Sequence, residues 1–201
     1  MLIGNDLVDL NDPQADPGSI HPRFDQRILT DHEHRLVKSA SSAHRFRWML
    51  WAAKESAFKV LKKIDAKIAF HPQDFEVSID SLDRMSVHHN GLVLETLVYS
   101  APRWVHAVTT AGSKFSMSGN RMHSRVFDLQ SIETGVDQSA EVRTFTRKTL
   151  SAWLGVSWQE VEIVTEARIP RALKKGRALD IDLSLSHDGN FVACAWIEVS
   201  Q

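Results

Sequence analysis

Residues 51 to 59 read Trp51-Ala52-Ala53-Lys54-Glu55-Ser56-Ala57-Phe58-Lys59, inside a longer run whose spacing decides how this part of the chain folds. Phe46, Met49, Leu50, Ala53, Ala57, Val60 and Leu61 recur at steps of three and four, the period of an amphipathic helix. The spacing predicts a helix from about residue 43 to residue 63, with its apolar stripe against a core. Glu55 and Lys59 lie four apart and so project from the same side, next to Trp51 and Phe58. A carboxylate and an amine held together suit a site for a metal ion and a phosphate. Taken alone, the pair reads more simply as a surface ion pair contributing about 0.2–0.5 kcal/mol.

On the N-terminal side, residues 2 to 10 have strand character with Asp6 and Asp9 inside the run, and residues 11 to 18, with two prolines, form a loop. Residues 21 to 29 read as a short helix. Thr30 followed by Glu33 fits a capping box, so a second helix starts there. On the C-terminal side the pattern turns to strands. Residues 75 to 80 alternate apolar and polar, Asn90-Gly91 is a hairpin signal, and residues 92 to 99 and 104 to 110 continue as strands. Residues 112 to 135, polar and rich in Ser and Gly at their start, read as a linker or mobile loop. A helix is then expected over 140 to 154, and strands over 160 to 166, 179 to 186 and 190 to 199, the last two joined by His187-Asp188-Gly189.

Two stretches therefore end alike, each in a pair of strands after a glycine: Gly91 before Trp104-Val105-His106-Ala107-Val108, and Gly176 before Phe191-Val192-Ala193-Cys194-Ala195. The reading is α+β: a pseudo-two-fold pair of units, each an antiparallel sheet packed on helices. One half spans 1–111 and the other 136–201.

At 201 residues the chain can bury one good core or two small halves that share one. The net charge of −1 gives no bulk field toward nucleic acid or a membrane surface. No run of about 18 apolar residues is present, so no helix spanning a membrane is expected. With no signal peptide and one cysteine, Cys194, the expected location is the cytoplasm. Cys194 lies in an apolar run and is read as a buried, inert thiol. Histidines at 32 and 34, or 88 and 89, lack the spaced partner set of a zinc site and are read as solvated.

Chemistry gathers on three segments: Gly4-Asn5-Asp6, the helix with Lys54, Glu55 and Lys59, and Ser184-Leu185-Ser186-His187. An acid in an apolar strand is costly to bury unpaired, so Asp6 caps an element, pairs with a base or binds a cation. Mg²⁺ takes one or two protein carboxylates and completes its shell with water and substrate phosphate, a number Asp6 and Glu55 would supply. Lys59 could offset phosphate charge, and Ser186 and His187 at a strand turn could donate to another phosphate oxygen. The Ser-His-Asp run is otherwise a polar turn. It is no hydrolase triad, which requires spatial rather than sequential adjacency.

Together these segments resemble the signature of the 4′-phosphopantetheinyl transferase superfamily: a Gly-x-Asp strand, Trp-x-x-Lys-Glu-[Ser/Ala]-x-x-Lys on a helix, and a Ser-[Leu/Ile]-Ser-His turn. Residues 22 to 36 and 71 to 77 resemble the flanking elements, so the likeness covers most of the chain outside 112–135. The order resembles that of single-unit holo-acyl-carrier-protein synthases, which are much shorter. It also resembles the two-unit surfactin-synthetase type with its halves exchanged, which implies a complete site between the halves of one chain and a monomer rather than a trimer.

The resemblance implies Mg²⁺-dependent transfer of 4′-phosphopantetheine from coenzyme A to a serine of an apo acyl or peptidyl carrier protein, releasing 3′,5′-ADP. It implies Asp6 and Glu55 as metal ligands and Glu55 and Lys59 as catalytic groups. Ser186, His187, Lys59 and Arg177 would bind coenzyme A. Two-unit relatives commonly carry a second carboxylate two residues after the aspartate; here that position is Val8, whose place water would take. Asp9 points to the opposite strand face and is not expected as a ligand. Arg23, Arg27, His32, His34, Arg35 and Lys38 form a basic cluster suited to steering an acidic carrier, or simply a solvated face. The alternatives are a non-catalytic homologue that binds coenzyme A or a carrier, against which intact Asp6, Glu55 and Lys59 argue, and an unrelated phosphoesterase, which would need more carboxylates.

Overall fold

The computed structural model describes residues 1–81, 83–112, 122–129 and 137–199. Its elements, in chain order, begin with β1 (Leu2–Asp9), α1 (Phe24–Ile28), α2 (Asp31–Ser39) and α3 (Ala43–Ile64). Four strands follow: β2 (Glu76–Ile79), β3 (Arg84–His89), β4 (Leu92–Ser100) and β5 (Trp104–Ala111). Then come β6 (Met122–Asp128), α4 (Gln138–Leu154), β7 (Val161–Glu166), β8 (Ile169–Lys174), β9 (Arg177–Ala178), β10 (Ile181–Asp188) and β11 (Phe191–Glu198). The chain is α+β, with antiparallel sheets packed on helices. The sheet orders are β1-β5-β4-β3-β2, β10-β11-β6 and β7-β8-β9.

The helix signals operate as the sequence predicts. Thr30 and Glu33 close both arms of the capping box at the start of α2. The stripe on α3 buries Leu50, Ala53, Ala57, Val60 and Leu61 against Phe75, just before β2, and against Val77, Val87, Leu94, Val98 and Val105 of the five-stranded sheet. Asn90 (φ +48°) and Gly91 (φ +79°) turn β3 into β4 through two left-handed residues, the geometry that matches strand twist. A second core lies under α4, where Leu150 packs with Val161, Leu183, Cys194 and Trp196. Cys194 is fully buried there and burial pushes its thiol up to about 12, so it is inert as expected.

Three regions differ from the sequence reading. Within 112–135, Met122–Asp128 is a strand rather than a linker: it pairs antiparallel with β11 along its length. As the edge of its sheet it is only half buried, so its alternation is muted. Residues 113–121 and 130–136 of the expected linker lie outside the described residues. β8 and β9 were not expected; β8 pairs with β7 across a tight turn at Ala167 and Arg168, both with positive φ. The expected turn at 187–189 sits later, because His187 and Asp188 still pair with Val192 and Phe191.

β1 is the edge of the large sheet, yet its free edge is not bare. The N–H groups of Ile3, Asn5 and Asp9 donate to Asp182 Oδ2 (2.7 Å), Ser184 Oγ (2.9 Å) and Asp188 Oδ2 (2.7 Å). All three bonds keep one sequence offset of 179, so β10 runs alongside β1 in the same direction, with side chains in place of a backbone ladder. The carbonyls of Ile3 and Asn5 accept from Lys63 Nζ (2.7 Å) and Lys59 Nζ (2.9 Å) of α3. An unpaired strand edge buried without such partners would cost several kcal/mol in unmet polar groups, on the order of 1–3 kcal/mol each.

Candidate active site

Strand alternation divides β1 between two neighbours. Gly4, Asp6 and Val8 face α3. Ile3 and Leu7 pack with Ala195, Ile197, Phe191 and Ala193 of β11. Gly4 is required by proximity: a Cβ there would run into the carbonyl oxygen of Ser56 in α3. That contact brings the α3 row Glu55, Lys59 and Lys63 down onto the strand. Lys59 Nζ bonds Asp6 Oδ1 at 2.7 Å. The sequence reading put Asp6, Glu55 and Lys59 together, and the fold does so.

The charges are unbalanced. Burial is the main cause that raises the Asp6 pKa, against the lowering pull of Lys59. Burial first, then the Asp6 carboxylate, pushes Glu55 up to about 7, with Lys59 opposing. Two carboxylates therefore face one space with a single ammonium between them. Among the described residues no group of three or more His, Cys, Asp or Glu side chains is arranged to hold a metal ion. Two carboxylates with an unmet demand for positive charge nevertheless fit a hard divalent cation that keeps water and phosphate in its shell.

Lys54, the neighbour of Glu55, does something else. Its Nζ is fully buried, bonded to Glu33 Oε2 (2.6 Å) and to the carbonyls of Ile28 (2.8 Å) and Pro72 (2.9 Å). The other Glu33 oxygen accepts from Val77 N at 2.8 Å. Lys54 thus ties α2, α3 and β2 together and has no access to the site. Asp9, on the opposite face of β1 as expected, accepts from Asn190 N (2.9 Å) and Asn11 N (2.9 Å) and fixes the β10–β11 turn.

Beside Lys59 opens a cleft of about 280 Å³ between α3, α4, the β7–β8 hairpin and β10. Lys59, Lys62, Lys63, Arg143, Arg168 and His187 line it with Phe58, Pro170 and Leu185, and no acidic side chain is among its described lining residues. Such a cleft concentrates positive potential and suits a polyanion. His187 reaches it; its Nδ1 lies 2.9 Å from Gln138 Oε1 at the start of α4. Burial, then Lys59, lowers the His187 pKa.

Two expected ligand residues sit elsewhere. Ser186 is buried on the β1 side of β10, its Oγ accepting from Asn5 Nδ2 at 2.9 Å, and is not among the cleft-lining residues. Strand alternation turns residues 182, 184, 186 and 188 toward β1, and of this row Ser184 alone also lines the cleft. Arg177 is exposed on β9 and does not line the cleft. The sequence reading missed Lys62, Lys63, Arg143 and Arg168. Lys63 continues the four-residue spacing from Glu55 and Lys59, a signal that could have found it. Asn5 was also missed; its amide touches both Ser186 and His106 Nε2 (3.1 Å), and His106 is fully buried and held down at about 3 by desolvation.

Apart from this cleft, His34, Arg35 and Lys38 of α2 line a shallow groove with Asp31 and Gln73. No helix among the described residues is long and apolar enough to cross a membrane.

A family model and a number of solved structures match this chain. A family model described as the 4'-phosphopantetheinyl transferase superfamily matches residues 2–109, which include Asp6, Glu55 and Lys59 but not His187. No curated protein matches. An apo-ACPS structure from Chronobacterium ammoiniagenes is 18% identical, covering 53% of this chain and 92% of that one, with a TM-score of 0.41. The crystal structure of Thermotoga maritima holo-[acyl-carrier-protein] synthase (AcpS) is 15% identical, covering 88% of this chain and 83% of that one, with a TM-score of 0.43.

Proposed function

The chain belongs to the 4′-phosphopantetheinyl transferase superfamily, and from that premise we propose that it moves the 4′-phosphopantetheine group of coenzyme A onto a serine of an apo acyl or peptidyl carrier protein. One observation carries the reading: the Asp6–Glu55–Lys59 cluster opens directly onto a basic cleft through Lys59, which belongs to both.

In this reading coenzyme A lies in the cleft with its phosphates among Lys59, Lys62, Arg143, Arg168 and His187. Asp6 and Glu55 would hold Mg²⁺, which supplies neutralisation of pyrophosphate charge when bound. Glu55, in its ionised form, takes the proton of the carrier serine. The serine oxygen forms a bond to the β-phosphorus, the bond from that phosphorus to the bridging oxygen breaks, and 3′,5′-ADP leaves with the oxygen. The lysines and arginines of the cleft offset charge on the leaving nucleotide and keep the two oxygens in line. The basic residues of α1 and α2 steer the acidic carrier toward the mouth.

Residues 1–111 and 136–201 act as pseudo-equivalent halves with the site between them, so one chain suffices and the protein works as a monomer. An obligate trimer by light scattering would overturn that part. The activity itself is tested by incubating the protein with coenzyme A, Mg²⁺ and a panel of apo carriers from fatty-acid, polyketide and peptide synthesis. A carrier mass increased by one phosphopantetheine is expected. No increase on any carrier would overturn the transferase and favour a homologue that only binds.

A further inference from the structure

Gln138, the first residue of α4, is held from both ends. Its Nε2 donates to the Gly189 carbonyl and its Oε1 faces His187 Nδ1 at 2.9 Å. A carbonyl can only accept, so the amide must present its nitrogen to Gly189 and its oxygen to the imidazole. The amide oxygen also only accepts, so Nδ1 must carry the proton. A neutral His187 is then left with a bare Nε2, a lone pair that repels phosphate oxygen. Protonation of Nε2 turns it into a charge-assisted donor.

Resting on the reading of the cleft as a coenzyme A site, we propose that Gln138 is a positioning residue that locks His187 in its Nδ1–H tautomer, so that the ring binds a ligand phosphate only as the imidazolium and binding takes up one proton. The charged groups facing the ring are Lys59 of α3, Asp6 of β1, and Asp137 and Arg143 of α4. Burial, Lys59 and Arg143 favour the neutral ring in the free protein, and Asp137 and Asp6 oppose them. A bound phosphate joins the second group. Affinity for coenzyme A therefore falls as pH rises, by up to tenfold per unit for one coupled proton. A side chain at 138 that cannot accept frees the ring to carry its proton on Nε2 and bind while neutral.

Two measurements test this. Long-range ¹H–¹⁵N spectra of the ligand-free protein, with His187→Ala to assign the ring, should show Nδ1 protonated. In Gln138→Leu the proton should move to Nε2. Calorimetric titration with coenzyme A in EDTA between pH 7 and 8.5 should weaken more steeply in the wild type than in Gln138→Leu, by up to tenfold per unit, since the two share every other titrating group, Glu55 included. An Nε2–H ring in the wild type, or equal pH slopes in the wild type and Gln138→Leu, overturns the proposal. If coenzyme A fails to bind at every pH while the ring shows Nδ1–H, the functional reading falls and the positioning role of Gln138 stands.

Discussion

Lys63 of α3 bonds Asp182 of β10 at 2.7 Å, with both side chains almost wholly buried, at 7% and 5% exposure. The same ammonium also donates to the carbonyls of Ile3 and Leu183, so one side chain joins helix, edge strand and second sheet. Burial lowers the Lys63 pKa and Asp182 raises it, which makes each the other's compensation.

Lys63→Met is expected to destabilise the protein by about 3–5 kcal/mol, because it leaves the Asp182 carboxylate buried without its partner. Adding Asp182→Asn should recover more than half of that loss, since the stranded charge goes with it. Urea denaturation of the single and double variants measures both. A single-variant loss under about 1 kcal/mol would show that the pair behaves as an exposed one.

Gly4→Ala is expected to prevent α3 from seating on β1. The added Cβ meets backbone, the Ser56 carbonyl and Val60 N at 3.1 Å, neither of which can rotate away. The cost should be about 3 kcal/mol or more. Thermal melts report it, and Val60→Ala in the same chain should not restore stability, because it removes the Val60 Cγ2 contact at 3.0 Å and leaves the much closer Ser56 carbonyl in place. An unchanged melting temperature would contradict the close approach.

His106 should make the protein acid-sensitive. Its folded pKa of about 3 lies below the ordinary value of 6.5, so the unfolded chain takes up the proton first as pH falls. The stability this ring contributes is whole above pH 6.5 and lost from there toward pH 3, at about 1.4 kcal/mol per unit. His106→Gln keeps an acceptor for the Asn5 amide and removes the titration. The difference between the two stability curves from pH 7 to pH 4 measures the effect; parallel curves would exclude it.

The parts of this fold that could be read from the chain are those fixed by local periodicity. Glu55 and Lys59 share a side because a helix makes i and i+4 neighbours, and Asp6 faces them because alternation along β1 puts it with Gly4 and Val8. The polar row at 182, 184, 186 and 188 was equally visible, but its meaning was not. Alternation says that Ser186 and Ser184 share a face and cannot say that the face is turned to the edge of a strand 179 residues away. The cleft residues Arg143 and Arg168 lie on elements brought together only by the packing of α4 over β10 and of β8 beside it. Met122–Asp128 went unread as a strand because an edge strand with half-buried faces has little contrast between them.

Glu55→Gln is expected to move stability and activity in opposite directions. Glu55 ionises at about 7 in the fold against 4.5 ordinarily, with burial as the first cause and Asp6 as the second. For an acid raised on folding, the unfolded chain loses its proton first as pH rises. The cost to the fold then grows between pH 4.5 and 7 and is complete above 7. Glutamine cannot ionise, so in EDTA the variant should match the wild type near pH 4 and exceed it at pH 8. The full shift corresponds to roughly 3 kcal/mol, which partial exposure of the carboxylate reduces to about 1–2 kcal/mol. The same change removes the proposed base and a cation ligand, so carrier modification should fall by about 100-fold or more. Denaturation curves at the two pH values and a carrier mass assay at pH 8 decide the matter. A variant that is less stable at pH 8 would show that Glu55 holds the fold together, and one with undiminished turnover would remove it from the site.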